Sequence, residues 1–122
     1  MVVDILLQPE KILSNTTDPV VVYVTTPDMD CARSIADALV AQHLAACVNI
    51  VPTVESIYRW QGQVEHATET LLVIKTRAGH VAAIEDCLTQ LHPDDVPECI
   101  ALPIIGGAAP YLHWLAEQTG RD

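Results

Sequence analysis

Within His92-Pro93-Asp94-Asp95-Val96-Pro97-Glu98-Cys99 the chain sets an imidazole, three carboxylates and a thiol in eight residues. Nitrogen, oxygen and sulfur donors of this kind suit a borderline divalent ion such as copper, with His92 as the leading candidate ligand. The simpler alternative is a helix-to-strand loop whose acids are solvated. Cys47 is a second soft donor. It stands beside Val48 and Ile50 with no basic neighbour in sequence to lower its pKa, so it reads as a core thiol, with ligation of Cu(I) as the alternative. Glu65 and Glu69 share one face of a strand while His66 takes the other, so they form no single chelate within one chain. Tyr58, Trp60, Glu69, Lys75, Glu98, Tyr111 and Trp114 mix aromatic and charged character and suit the walls of a small-ligand cleft between subunits. The same aromatics also suit anchoring of an assembly. No Gly-rich phosphate loop, Ser-His-Asp arrangement or His-Glu-x-x-His motif occurs, so an enzyme reading has nothing to rest on.

These residues need elements to position them. Val20-Val21-Val22-Tyr23-Val24-Thr25 is a β-branched run of strand length, and Asp28 can cap a helix bearing Ala32, Ile35, Ala36, Leu39, Val40 and Leu44 on one face. From Ala46 to Trp60 the residues suit a strand, Gln61-Gly62 a turn, and Gln63 to Thr76 a returning strand. Each arm, at roughly 3.3 Å per residue, would reach on the order of 50 Å. A compact chain of this length measures roughly 35 Å across, from a radius of gyration near 14 Å. The hairpin must overhang its own domain, and it carries Ile57, Tyr58 and Trp60 out with it. Exposed apolar side chains and open strand edges call for another protein surface. Pro52 within the first arm requires an edge position or a bulge.

A second helix, with Val81, Ile84, Leu88 and Leu91 as its apolar stripe, should stop near His92-Pro93. Cys99 to Ile105 suits a last strand, kept to an edge by Pro103. Pro110 then opens a terminal helix on which Tyr111, Trp114 and Leu115 share a face. The order β-α-β-β-α-β plus a helix predicts an α+β, ferredoxin-like sandwich, with two helices over a four-stranded antiparallel sheet. Residues 1–18 read as a poorly ordered extension, and 19–122 as the single domain.

Composition narrows the partners. Sixteen acidic against six basic residues give a formal charge of −10, which opposes both nucleic acid and anionic membranes. The N-terminus lacks a basic n-region and is interrupted by Asp4, and no apolar run approaches the roughly twenty residues of a spanning helix. A cytoplasmic protein is the expectation. Cys31, Cys47, Cys87 and Cys99 include no C-x-x-C pair and read mainly as buried thiols of a reducing compartment.

Several stretches resemble the CutA divalent-cation-tolerance family. They are Thr25-Thr26-Pro27-Asp28, Leu44-Ala45-Ala46-Cys47-Val48-Asn49 with Pro52, Ser56-Ile57-Tyr58-Arg59-Trp60-Gln61-Gly62, and Glu69 with Ile74-Lys75-Thr76. His92-Pro93, Pro97-Glu98, Ala101-Leu102-Pro103-Ile104, Gly107 and Tyr111-Leu112-His113-Trp114 extend the match over roughly residues 20 to 116. The resemblance implies a ferredoxin-like subunit that forms a homotrimer through its long hairpins, in an architecture similar to that of the PII signalling proteins. It further implies a part in tolerance of copper or another divalent metal, with cysteine and histidine as ligands. Three positions depart from the pattern: Val24 stands where bacterial relatives can carry cysteine, Leu91 where they can carry a second histidine, and Asp94 where a tyrosine usually follows His-Pro. The alternative function is a PII-like module that takes a small ligand in clefts between subunits and signals to a protein partner.

Overall fold

The computed structural model describes residues 15–120. Strand β1 (Pro19–Thr26) is followed by helix α1 (Met29–Ala41), strands β2 (Cys47–Trp60) and β3 (Gln63–Arg77), helix α2 (Val81–Leu91), strand β4 (Ile100–Pro103) and helix α3 (Ala109–Thr119). The four strands form one antiparallel sheet in the order β2-β3-β1-β4. Placing β3 between the two strands that flank α1 is the split βαβ topology expected from the element order.

Burial along β1 alternates with the strand period. Val20, Val22, Val24 and Thr26 are fully enclosed on one face, and the intervening residues are only partly covered. The enclosed face meets Ala32, Ile35 and Leu39 of α1, Ile84 and Leu88 of α2, and Leu72 and Ile74 of β3 in one core. Asp28 caps α1 as expected, its carboxylate accepting from the Cys31 N–H at 2.8 Å. Val40 and Leu91 belong to the apolar stripes by spacing, but both are exposed, because each lies at the margin of its helix's inward face. The segment before β1 is tied to the body where it is described: the Asp18 and Thr16 carbonyls accept from the Ala78 and Gly79 N–H groups. The rest of the expected extension, residues 1–14, lies outside the described residues.

The hairpin has arms of 14 and 15 residues, joined at Gln61-Gly62, where both residues have positive φ (50° and 81°). Two left-handed residues in succession make the primed turn whose twist matches that of paired strands. Pro52 falls in a register break between Val51 and Val54, the bulge required by its missing N–H. The Thr70 hydroxyl donates to the Pro52 carbonyl at 3.0 Å and holds the bulge to β3. Beyond the bulge nearly every hairpin residue is exposed, including Ile57 (61%), Val64 (57%) and Trp60 (48%).

The last strand is shorter than the expected Cys99–Ile105. It runs four residues, Ile100–Pro103, at the sheet edge beside β1. One further hydrogen bond, from the Ile104 N–H to the Pro19 carbonyl, ends the pairing. Helix α3 packs against β3 and β1. Leu115 is its buried anchor, while Tyr111 and Trp114 on the same face remain partly exposed, with ring centroids 5.5 Å apart.

Candidate functional site

The loop between α2 and β4 and the distal hairpin frame an open cleft of about 680 Å³ beside the end of β1. Tyr58, Trp60 and Glu69 line it from the hairpin, Asp94, Asp95 and Glu98 from the loop, and Thr25 from β1. Tyr58 and Trp60 are two residues apart on β2 and therefore project to the same side. Of the seven cleft candidates, Tyr58, Trp60, Glu69 and Glu98 meet here. Lys75, Tyr111 and Trp114 lie outside this cleft of the single chain.

His92 organises the cleft's acidic wall from behind. Its side chain is enclosed at the end of α2, with Nε2 lying 2.7 Å from the Thr25 carbonyl and Nδ1 accepting from the Asp94 N–H at 3.1 Å. An acceptor at Nδ1 and a carbonyl facing Nε2 place the ring proton on Nε2. Both ring nitrogens are thereby used, and neither lone pair is left for a metal. Among the described residues no group of three or more His, Cys, Asp and Glu side chains is placed to hold a metal ion. The eight-residue run that looks like a ligand set in sequence folds as a bent loop and forms no such group.

At the opposite end of the hairpin, Cys47 pairs with Lys75 across β2 and β3. Cys47 is half-buried and lies outside the hydrophobic core, in contrast to the core role its apolar neighbours imply. Its thiol lies 4.0 Å from the Asn49 side-chain oxygen and interacts electrostatically with the Tyr111 phenol of α3. Burial and this thiol together push the Tyr111 phenol above its ordinary pKa. The other three cysteines do pack against the core. Burial raises all three thiols; for Cys31 the Asp28 and Asp94 carboxylates add to the effect, and for Cys99 burial with Glu85 and Glu98 brings the value to about 11. These are inert thiols, poor as nucleophiles near neutral pH.

Sequence reasoning missed Thr25 and Ser56 as cleft residues and grouped Asp94 and Asp95 as chelators. No local signal joins Thr25 to His92. The two lie far apart in sequence, and only the hydrogen bond at the Thr25 carbonyl brings them together.

The family model described as CutA1 divalent ion tolerance protein matches residues 20–118. The chain belongs to this family. The divalent-cation tolerance protein CutA of Thermus thermophilus is 51% identical over 100 residues, covering 82% of this chain and 97% of that protein. The solved Thermus structure, 50% identical, superposes with a TM-score of 0.82 over 84% of this chain and 99% of that one. The chloroplastic CutA protein of Arabidopsis thaliana is 46% identical over 106 residues, 87% of this chain. The chain spans only 58% of that protein's length. Family members are named for tolerance of divalent ions and not for a reaction.

The cytoplasmic expectation is overturned. The Arabidopsis relative is chloroplastic, and a CutA structure from Archaeoglobus fulgidus, 35% identical with a TM-score of 0.80 over 83% of this chain and 98% of that one, is described as periplasmic. The four cysteines form no disulfide among the described residues, and neither they nor the acidity fixes a compartment.

Proposed function

We propose that this chain works as a homotrimer in divalent-cation tolerance, its hairpins forming the contacts between subunits. The observation that carries the reading is the distal hairpin: Ile57, Tyr58, Trp60 and Val64 stand exposed beyond the Pro52 bulge on two strands that no helix covers. Aromatic and aliphatic groups held on a rigid ribbon are what an interface core uses. Family membership supplies the role in tolerance. Native mass spectrometry of the purified protein tests the assembly, with a three-chain species expected; a monomer would overturn it.

Copper enters this reading through Cys47, the soft donor outside the core, with His92 kept as a structural residue. Calorimetric titration with Cu(I) is expected to saturate at a fixed ratio per chain and to lose that binding in Cys47→Ser while the trimer persists. Equal binding by the variant removes Cys47 from the reading.

The aromatic-walled cleft supports a second reading, a PII-like module that takes a small ligand beside the hairpin and signals to a protein partner. Saturable binding of a metabolite in that cleft is its test.

A further inference from the structure

The segment before β1 and the end of α3 meet on one short turn. Between β3 and α2 the chain makes a single 3-10 turn, Ala78–His80. Its first two N–H groups donate to the segment before β1, Ala78 to the Asp18 carbonyl at 2.8 Å and Gly79 to the Thr16 carbonyl at 2.7 Å. Its last residue holds α3, with His80 Nε2 lying 2.6 Å from the Thr119 carbonyl.

Residues 15–18 form a built strap. The Asn15 side-chain oxygen accepts from the Thr17 N–H and hydroxyl at 3.0 and 2.9 Å, and its carbonyl accepts from the Asp18 N–H at 3.1 Å, the bonding of an Asx turn. The strap lies so close to the 3-10 turn that a Cβ at Gly79 would stand 3.0 Å from the Thr16 carbonyl oxygen.

The other side of the turn is equally specific. The last carbonyls of a helix lack intrahelical partners, and two imidazoles from different elements reach them here: His43 Nδ1 lies 3.0 Å from the Gln118 carbonyl, and His80 meets the next one. His43 holds φ 60° just beyond α1, a conformation usually left to glycine or asparagine, and its contact with α3 gives a reason for histidine there. His80 has a rival partner. Arg77 Nε lies 3.1 Å from the same Nε2, and one ring nitrogen cannot both accept from the guanidinium and donate to the carbonyl. With its hydrogen on Nε2 the ring holds α3; with it on Nδ1 the ring pairs with Arg77 and lets the carbonyl go. The Arg77 contact is local, three residues away, and survives loosening of the turn. The Thr119 contact joins residues 39 apart and needs the turn held in place.

We infer that the Ala78–His80 turn is a latch: the 15–18 strap holds it against the end of α3, and displacing the strap transfers His80 from Thr119 to Arg77 and frees that end. The chain ahead of β1 thereby controls the helix that carries Tyr111 and Trp114. The latch itself uses none of the groups proposed for subunit contacts or copper.

Backbone hydrogen exchange of the full-length protein is the test. Gly79→Ala, whose Cβ forces the strap away, is expected to raise exchange in the last turn of α3, residues 117–120, about fivefold, the worth of one hydrogen bond. Asn15→Ala, which undoes the Asx turn without touching 78–80, carries the same expectation if Gly79→Ala does not fold. His80→Phe should match that rise, while His80→Gln, whose amide can donate to Thr119, should keep the parent protection. The double variant Gly79→Ala/His80→Phe should add nothing beyond either change alone, and Gly62→Ala at the hairpin tip should leave α3 as in the parent. Exchange that rises only in 15–18 and 78–80 when the strap is displaced overturns the coupling. Parent-like protection of α3 in His80→Phe overturns the latch, as do additive effects in the double variant, which would show strap and helix to be held separately.

Discussion

The two halves of the hairpin share one pair of strands and live in opposite environments. Below the Pro52 bulge, β3 presents Leu72 and Ile74 to a core closed by α1 and α2; above it, Ile57, Trp60 and Val64 face solvent in a single chain. Backbone pairing continues through both halves. Hydrogen bonding between strands is therefore not what distinguishes them. The difference is the layer behind the sheet, and it separates the residues that make the subunit from those available to join subunits.

Substitutions on the two sides should break different things. Ile74→Ala, in the fully enclosed half, is expected to lower unfolding free energy by about 2–5 kcal/mol through lost burial and a cavity, read from denaturant unfolding. Trp60→Asp, in the open half, should cost an interface about 2 kcal/mol or more while leaving subunit secondary structure intact. Native mass spectrometry beside circular dichroism would show it. If Trp60→Asp unfolds the subunit instead, the proposed division of labour fails.

His92→Ala probes the junction where the acidic loop meets β1. Removing the ring leaves the Thr25 carbonyl and the Asp94 N–H without their partner, a loss of about 1–3 kcal/mol. Proteolysis should then open the 93–98 loop before the rest of the domain. A smaller effect is expected at the hairpin tip. Gly62 has φ +81° and open space where a Cβ would stand, so Gly62→Ala meets only backbone strain of about 1 kcal/mol, visible as a modest fall in thermal midpoint.

Cys99 gives the last and mildest contrast, as a pH dependence. Its thiol is held up to about 11 from an ordinary 9.0, by burial first and then by Glu85 and Glu98. A folded-state value above the unfolded one means stability is fully present below pH 9 and falls as pH rises from about 9 to about 11. Denaturation midpoints at pH 8, 9 and 10 should decline less in Cys99→Ala than in the parent protein. Identical slopes would show that another group carries the alkaline dependence.

Much of the fold was legible because its signals are local. Asp28 as a cap, Gln61-Gly62 as a turn, and Pro52 and Pro103 as limits on pairing each follow from the dihedral or hydrogen-bonding capacity of one or two residues. The candidate site was less legible. The acidic run before Cys99 was visible as a set of donors, yet whether donors converge depends on the path of the loop, and that path is set by His92 reaching a carbonyl 67 residues earlier. Cys47 shows the same limit: its apolar neighbours in sequence suggested a core thiol, and the Tyr111 phenol that interacts with it comes from the last helix.

By itself the sequence determined the element order, the overlong hairpin and the family, because periodicity, turn chemistry and characteristic residue runs are written in adjacent positions. Only the tertiary structure decided that His92 has both ring nitrogens engaged, that Cys47 lies outside the core, and that Tyr58 and Trp60 share a cleft with Glu69 and Glu98 within one chain. Convergence of distant side chains depends on how the sheet twists and where the loops cross it, and no local pattern encodes that distance.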